Sequence, residues 1–304
     1  MPVLCIYHGN CVDGFAAAWI VKQTLPDTVF HPGIYGEPPP NPIDENTLII
    51  LADFSYSLPV MEELSYRRGV LILDHHKTAQ AACKDITHPK TWQGFLTSVQ
   101  QDRWEGAHSQ LYGIFDMDRS GAGIAWDFFN PGVWRPGLID LVEDRDLWRF
   151  KLSGSREIHE VITSYPWDFD VFSKLVDSFA VPDGQTRMLY DGAAILRKHY
   201  QDIENLLPIV TRRMIINGYN VQVANLPITM TSDAGHLLAK NEPFAACYWD
   251  TPKGRIFSLR SVDGGVDVSE IAEAYGGGGH EHAAGFEVSF EAAADFEIGP
   301  GANA

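Results

Sequence analysis

The stretch LILDHHKTA, residues 71–79, decides the fold of this chain. Its apolar run stops abruptly at Asp74, His75 and His76. A short apolar run bounded by polar residues is typical of a strand buried on both faces of a sheet. Carboxylates and imidazoles are common groups for binding a metal ion or moving a proton. The stretch therefore predicts a buried strand with a functional site at its carboxyl end.

Two earlier stretches repeat this arrangement. The apolar run of residues 3–7 ends at His8, and TLIILA, residues 47–52, ends at Asp53. Helical patterns follow, including VMEELSYRR at residues 60–68. Alternation of strand and helix predicts an α/β domain with a parallel sheet and helices on both faces. Because ligands bind at the carboxyl ends of such strands, we expect these polar groups to meet at one edge.

A change of pattern divides the chain. Helical patterns dominate from Ser120, a candidate N-cap, to a long amphipathic segment. Short strand-like runs separated by turns follow and predict a smaller mixed α/β domain. We predict a parallel-sheet catalytic domain over residues 1–185, a linker helix over 186–211 and a substrate-binding domain over 212–304. The polar segment 84–113 gives no clear pattern and stays open as an excursion or a lid.

The composition disfavours several classes of protein. The net charge of −17 and the pI of about 4.9 oppose binding to long nucleic acids or anionic membranes unless local basic pockets override them. Four cysteines without a CxxC pair indicate a reducing compartment. The sequence shows neither a signal peptide nor a membrane-spanning run. We therefore expect a cytoplasmic protein.

Five residues offer the mixed nitrogen and oxygen ligands of a metal site: His8, Asp13, Asp53, His75 and Asp144. Such ligands suit Mn²⁺ or Mg²⁺ and can also hold Zn²⁺ or Fe²⁺. A carboxylate shared by two ions, as Asp53 could be, holds them about 3.5–4 Å apart for phosphoryl transfer. Each residue alone is more often a cap, a turn residue or a hydrogen-bonded histidine. Their recurrence at consecutive strand ends predicts the metal site.

The same stretches resemble the motifs of the DHH phosphoesterase superfamily. LDHHKTA resembles the motif that names the superfamily, YHGNCVDGFAAAW the first motif, LADFS the second and VEDRDLW the fourth. SLRSVDGGVDVSEIAEAYGGGGHEHAAGF resembles the DHH-associated C-terminal domain with its GGGH signature. The resemblance covers nearly the whole chain, and the motifs are specific because they occur together in the right order.

The resemblance implies a metal-dependent phosphoesterase that uses Mn²⁺, with Mg²⁺ or another divalent ion as the alternative. It implies that His75, Asp13, Asp53 and Asp144 hold one ion and that His8 and Asp53 hold a second. A bound ion would lower the pKa of a water molecule that attacks the phosphorus.

The resemblance also assigns the catalytic candidates His76 and Asp74. His76 would face the substrate phosphate and protonate or orient it, and Asp74 would accept a hydrogen bond from a ligand imidazole. For the fourth-motif ligand, motif position alone favours Asp144 over its neighbours Asp140 and Asp146.

The first motif departs from the superfamily pattern at Cys11, where the commoner members have an aspartate. Cys11 could be a thiolate ligand, a small residue in a turn, or a sign that the second ion is weakly held. Asn10 could supply an oxygen instead. One or two ions are therefore expected.

The glycine run implies the substrate site. Glycines lack Cβ, so their backbone N–H groups can approach a phosphate closely. The resemblance implies that Gly277, Gly278, Gly279 and His280 bind the terminal phosphate or nucleotide, with Arg260 as the matching guanidinium. The ordinary alternatives are a flexible turn and a surface arginine on a strand.

The expected activity is hydrolysis of short linear oligonucleotides, either 5′-phosphorylated dinucleotides such as pGpG and pApA or nanoRNA, to nucleoside monophosphates. The sequence shows no basic stripe with interleaved aromatics for a long strand or duplex. Alternatives are a RecJ-like single-strand exonuclease, a 3′,5′-bisphosphonucleotide phosphatase and a nucleotide-binding module that has lost catalysis. The resemblance also allows a homodimer.

Overall fold

The computed structural model describes residues 1–66, 68–84, 86–105 and 110–296. The chain divides into two compact units, with the boundary between Leu196 and Arg197. Residues 186–210 of the predicted linker lie within one long helix, α9 (Pro182–Val210). The last eight residues of the predicted second domain and five residues of the segment 84–113 lie outside the described residues.

The first unit contains a parallel sheet, as the sequence predicts. Its described strands are β1 (Val3–His8), β2 (Val29–Gly33), β3 (Leu48–Ala52), β4 (Val70–Asp74) and β5 (Leu111–Phe115). They lie in the order β2-β1-β3-β4-β5 and pair in parallel throughout. The strand β2 was not predicted because it lies at the sheet edge, is only partly buried and contains Pro32. The strand β5 was not predicted because it belongs to the polar segment that showed no pattern.

Helices cover both faces of this sheet. They are α1 (Val12–Thr24), α2 (Leu58–Ser65), α3 (Lys77–Ala82), α4 (Trp92–Glu105), α5 (Gly121–Phe129), α6 (Gly137–Asp146), α7 (Ser155–Thr163) and α8 (Phe169–Phe179). Successive strand side chains point to opposite faces. Ile50 and Leu71 therefore pack with α1 and α5, and Ile49 and Ile72 pack with α2. Among the residues described, no helix is both long and apolar enough to cross a membrane.

The second unit contains a mixed sheet in the order β10-β11-β9-β8-β7-β6. The strands are β6 (Thr211–Ile216), β7 (Tyr219–Asn225), β8 (Ala245–Asp250), β9 (Arg255–Arg260), β10 (Gly278–His280) and β11 (Ala283–Val288). The pair β7·β8 is parallel and the other pairs are antiparallel. A 3₁₀ turn (Ile228–Met230) and three helices complete the unit: α10 (Thr231–Leu238), α11 (Val268–Ala274) and α12 (Phe290–Ala294). The α/β fold class is thereby confirmed.

The strand order fixes where a ligand can bind in the first unit. The chain leaves β1 towards β2 on one side and then returns to β3 on the other side. The carboxyl ends of β1 and β3 therefore flank a topological switch point, where open α/β sheets bind their ligands. His8 is the last residue of β1, and Asp53 follows β3 directly.

Candidate metal centre

Four side chains predicted as ligands meet at the switch point. His75 Nε2 lies 3.1 Å from Asp53 Oδ1 and 3.9 Å from Asp13 Oδ2. His8 Nδ1 lies 3.4 Å from Asp53 Oδ2. Asp13, Asp53 and His75 are each at most 3% exposed. The structure thus brings together groups that the sequence placed at three separate strand ends.

The backbone at Asp53 is held in an unusual conformation. Its φ of 54° lies in the left-handed region, which aspartate tolerates better than most residues. Its N–H donates to Leu73 O at 2.8 Å. Helix α5 begins so close by that a Cβ on Gly121 would lie 2.4 Å from the Cβ of Asp53. This packing fixes the Asp53 carboxylate between the two imidazoles of His8 and His75.

The start of helix α5 also anchors Asp13. The Asp13 carboxylate accepts hydrogen bonds from Gly121 N at 2.6 Å and Ala122 N at 3.1 Å. The Ser120 hydroxyl caps the same helix by accepting from Gly123 N at 3.2 Å, so the predicted cap is confirmed. A helix amino terminus favours negative charge, which suits a carboxylate held at this point.

The fourth-motif carboxylate at the site belongs to Asp146. Its Oδ2 lies 3.4 Å from His75 Nε2. The Asp144 carboxylate instead accepts from the N–H groups of residues 151 and 152, at 2.9 and 3.0 Å, and from the Ser155 hydroxyl. Residues two apart on a helix point about 200° apart, so Asp144 and Asp146 cannot both face the site.

The prediction of Asp144 as a ligand therefore does not fit the geometry, because Asp146 is the helix α6 carboxylate that lies at His75. Motif position could not separate these neighbours, because the rotation of a helix about its axis depends on how it docks against the sheet.

Within the first unit, the candidate ligand atoms form two groups of three. Asp13, His75 and Asp146 form one group, and His8, Asp53 and His76 form the other. Within each group the nitrogen and oxygen atoms lie within 4.8 Å of one another. Asp53 belongs to the second group and contacts the first through His75.

Two orphaned polar atoms fit bound cations at this place. His8 Nδ1 and Asp53 Oδ1 are buried, and neither has a hydrogen-bond partner among the described residues. The contact of Asp53 Oδ1 with His75 Nε2 at 3.1 Å is close enough for a hydrogen bond but is not aligned as one. Buried polar atoms normally have partners, and carboxylate with imidazole is a donor set for divalent ions.

The charges of the cluster also favour a bound cation. Burial and the carboxylates of Asp53 and Asp146 raise the pKa of Asp13 well above its ordinary value. Burial disfavours a charged His75, but the close contact with Asp53 and the negative charges of Asp146, Asp53 and Asp13 outweigh it and raise the pKa of His75 to about 10. Three carboxylates crowd one imidazole, so a divalent cation would neutralise the excess negative charge.

Asp74 lies behind this cluster and organises the two histidines. Its Oδ1 accepts from His75 N at 2.7 Å and His76 N at 3.2 Å and lies 2.6 Å from His76 Nδ1. The Ser55 hydroxyl donates to Asp74 Oδ2 at 2.6 Å. Burial opposes the Asp74 charge, but the charge and hydrogen bond of His76 outweigh it and bring the pKa of Asp74 down to about 2. Asp74 thus contacts the ring of His76, which directs Nε2 of that ring away from Asp74.

Cys11 lies next to the shared carboxylate. Its Sγ lies 3.6 Å from Asp53 Oδ2, a distance suited to an S–H donor. Burial and the charges of Asp53, Asp146 and Asp13 raise the pKa of Cys11 well above its ordinary value. Without a bound ion, burial and these carboxylates therefore favour a neutral thiol at Cys11.

Sequence reasoning missed Tyr35. Its ring centroid lies 5.2 Å from that of His8 and 5.9 Å from that of His76, and the residue is 50% exposed. A lone tyrosine in a glycine-flanked loop gives no signal in the sequence, because only the return of the chain after β2 brings it to the site.

The predicted phosphate-binding arginine lies in the second unit. Arg260 ends β9, and its guanidinium donates to Ser258 Oγ at 3.0 Å, Leu259 O at 2.7 Å and Ser232 Oγ at 2.8 Å. These contacts fix the direction of the guanidinium within this unit.

The glycine run is more ordered than a flexible turn. Gly276 N and Gly277 N donate to carbonyls at the end of α11, at 3.0 and 2.9 Å. The next three residues, Gly278–His280, form the edge strand β10, which pairs with β11. The run therefore joins a helix to a strand. A Cβ on Gly277 would lie 2.1 Å from Gly285 O, so glycine is required there.

Comparison with known proteins gives one family match and several relatives. Residues 228–296 match the DHHA1 domain. The chain is 27% identical over 308 residues to the uncharacterized protein R106 of Acanthamoeba polyphaga mimivirus, covering 93% of this chain and 67% of that protein. It is 26% identical over 234 residues to the oligoribonuclease NrnB of Bacillus subtilis (strain 168), covering 73% of this chain. That match spans 53% of NrnB, so it reaches about half the length of this relative.

A solved structure shares the fold. The DHH domain of a member of a family of ribosomal proteins superposes with a TM-score of 0.54 at 13% identity, covering 95% of this chain and 83% of that chain. At this identity the likeness concerns the fold alone.

Proposed function

On the premise that the chain belongs to the DHH phosphoesterase superfamily, which its DHHA1 domain and its relatives support, we propose a metal-dependent phosphodiesterase. Its substrates are short linear oligonucleotides, above all 5′-phosphorylated dinucleotides of the pGpG and pApA type or nanoRNA. The products are nucleoside monophosphates. The observation that carries this proposal is the pair of candidate ligand groups that Asp53 joins at the carboxyl edge of the sheet.

The residues of the first unit divide into two sets of ligands. Asp13, His75 and Asp146 would hold one divalent ion, Mn²⁺ or Mg²⁺, and Asp53 would contribute to it. His8 and Asp53 would hold a second. When bound, such ions supply Lewis acidity at the phosphoryl oxygens and lower the pKa of a water molecule.

The other residues at the site orient these groups. Asp74 fixes the ring of His76 through Nδ1, so that the opposite nitrogen can donate to or orient a phosphoryl oxygen. The N–H groups that begin helix α5 hold the Asp13 carboxylate in place. Because both contacts are made before substrate arrives, no reorganisation is needed during the reaction.

Three observations favour short substrates. NrnB, a relative over 73% of this chain, is named an oligoribonuclease. The net charge of −17 opposes long strands. In the second unit, hydrogen bonds fix the guanidinium of Arg260, and the edge strand of the glycine run ends at His280. These groups suit one terminal phosphate.

The test is a hydrolysis assay with a series of substrates. Chelator-treated protein is supplied with Mn²⁺ and incubated with pGpG, pApA, a five-nucleotide RNA, a thirty-nucleotide DNA and 3′,5′-bisphosphoadenosine. We expect release of monophosphates from the dinucleotides, lost in Asp53→Asn and His75→Ala. The matched control is Asp118→Asn, which changes an aspartate whose side chain is 97% exposed.

The series also separates the alternatives. Preference for the long DNA would favour a single-strand exonuclease, and turnover of the bisphosphate alone would favour a monoesterase. Absence of turnover with Mn²⁺ bound would refute the proposal and favour a nucleotide-binding module.

A further inference from the structure

An aromatic and cationic cluster follows Asp146 directly and has no part in the proposed chemistry. The rings of Trp148 and Phe150 meet edge to face, with centroids 4.9 Å apart. The guanidinium of Arg145 lies 4.3 Å from the Trp148 centroid, and that of Arg156 lies 3.4 Å from the Phe150 centroid. All four side chains are partly exposed. We call these four residues the Trp148 cluster.

The backbone of this cluster is strained. Trp148 has a φ of 54° and Phe150 a φ of 50°, both in the left-handed region. Bulky side chains rarely adopt this region. Leu147 is the C-cap of α6, and Trp148 is the residue directly after it. At that position after a helix the usual residue is glycine. An aromatic residue kept where glycine would be unstrained, two residues from a metal-ligand candidate, points to a functional demand for the ring.

Asp144 holds the segment in position. Its backbone carbonyl accepts from Arg149 N at 2.9 Å and Phe150 N at 3.3 Å. Its carboxylate accepts from the N–H groups of residues 151 and 152 and from the Ser155 hydroxyl. Phe150 is therefore tied to helix α6, which also carries Asp146, and Trp148 N donates to Arg145 O of the same helix at 3.1 Å. The cluster is presented at a fixed place relative to the candidate ligand.

The local charge differs from that of the whole chain. Residues 145–156 contain four of the 23 lysines and arginines (Arg145, Arg149, Lys151 and Arg156) against one carboxylate, Asp146. The chain as a whole carries a net charge of −17, so an anionic substrate would be repelled over most of the surface and attracted here. Aromatic rings interleaved with guanidinium groups bind single-stranded nucleotides, because bases stack on both kinds of plane. The sequence shows no basic stripe of this kind for a long strand, and the segment 145–156 is a short one.

We propose that the Trp148 cluster is a base-stacking subsite for a nucleotide of the substrate, an inference that rests on the proposed function. One base stacks on the exposed aromatic surface of the cluster, and Arg145 and Arg156 neutralise the adjoining phosphate. Stacking is tolerant of base identity, so this subsite selects nucleotides over other phosphodiesters without selecting one base.

The test removes the ring of Trp148 with a substitution that also relieves the backbone strain at this residue. Trp148→Gly suits the left-handed backbone, and Trp148→Phe keeps an aromatic face. The matched control is Trp134→Ala, which removes a tryptophan that is 95% exposed. For each variant we would measure kcat and KM for pApA with Mn²⁺, Mn²⁺ affinity by calorimetry, and Tm. The same kinetics would be repeated with a pApA analogue in which either adenine is replaced by an abasic sugar.

We expect Trp148→Gly to raise KM for pApA about tenfold, with Mn²⁺ affinity and Tm retained. Trp148→Phe should recover most of the loss. For the wild type, one of the two abasic analogues should have a KM raised by a similar factor. For Trp148→Gly the same analogue should raise KM little further, because the ring on which the base stacks is already gone.

Two results would overturn the inference. The first is an unchanged KM in Trp148→Gly. The second is an equal loss of kcat/KM on intact and abasic substrates together with a lower Tm, which would assign the ring a structural role. If the wild type hydrolyses no dinucleotide, the proposed function fails first and the subsite fails with it. That outcome is visible in the wild-type control alone.

Discussion

Replacing each of three aspartates of helix α6 with asparagine separates metal binding from folding. Asp146→Asn removes a carboxylate that lies 3.4 Å from His75 Nε2. We expect Mn²⁺ affinity to fall by at least about tenfold to a hundredfold, since even residues behind the ligands have effects of that size. In the absence of metal the Tm should hold or rise, because burial and the Asp53 charge oppose ionisation of Asp146 and raise its pKa.

Asp144→Asn should lower the stability of the fold and leave Mn²⁺ affinity unchanged. The Asp144 carboxylate is buried and accepts three hydrogen bonds. Bonds to a charged group contribute about 1.5–3 kcal/mol each. Asparagine keeps one acceptor oxygen and turns an N–H₂ group towards the remaining donors. The free energy of unfolding should therefore fall by roughly 3–5 kcal/mol. For a unit of this size that lowers Tm by roughly 6–20 °C.

Asp140→Asn is the matched control on the same helix, one turn before Asp144. Burial raises the pKa of Asp140, so its charge adds little to stability. Its loss should change the free energy of unfolding by less than about 1 kcal/mol and leave Mn²⁺ binding intact. The measurements are calorimetric titration of chelator-treated protein with Mn²⁺ and thermal unfolding with and without the ion. The reasoning would be refuted if Asp144→Asn lost Mn²⁺ binding at an unchanged Tm, or if Asp146→Asn bound Mn²⁺ like the wild type.

Three further predictions follow from the geometry. Gly121→Ala should abolish activity, because the new Cβ would lie 2.4 Å from the Cβ of Asp53; Gly137→Ala, whose Cβ would meet nothing nearer than 3.4 Å, is the control in the same activity and Tm assays. Mn²⁺ at a hundred times its Kd should stabilise the chelator-treated protein by about 2.7 kcal/mol, a Tm rise of roughly 5–11 °C, and equal Tm values with and without Mn²⁺ would contradict the metal site. Burial opposes the charge of Asp127, but its hydrogen bonds to arginines, Arg135 foremost, hold its pKa below the ordinary value. The stability from this pair is therefore present above about pH 4 and lost as pH falls through the lowered pKa, so the Tm difference between wild type and Asp127→Asn should shrink on acidification and should not grow.

The strand ends could be predicted because their signals are local. The apolar runs before His8, Asp53 and Asp74 each identify a buried strand without knowledge of the rest of the chain. The rule that parallel strands share a carboxyl edge then brings their polar ends together. The convergence of these residues in the structure follows from that rule, since the strands β1, β3 and β4 are neighbours in the sheet.

The remaining features depend on tertiary contacts that the sequence does not display. Whether Asp144 or Asp146 faces His75 depends on the rotation of α6 about its axis, which neighbouring helices and the sheet determine. Tyr35 reaches His8 only because β2 pairs with β1. The sequence also shows no signal for a strand in the glycine run, because glycines are typical of turns and the pairing of Gly278 and Gly279 with β11 depends on the free edge of that strand.

The anchoring of the candidate metal centre also orders events during synthesis. Its candidate ligands come from segments as distant as His8 and Asp146, and the N–H groups that hold Asp13 begin helix α5, more than a hundred residues downstream. Closing such loops costs entropy before any contact repays it. A nascent chain that has emerged from the ribosome only as far as β5 therefore carries most of the ligands and still lacks both the clamp on Asp13 and the carboxylate of Asp146. Metal acquisition would be among the last steps in maturation of the first unit, after the sheet has closed around it.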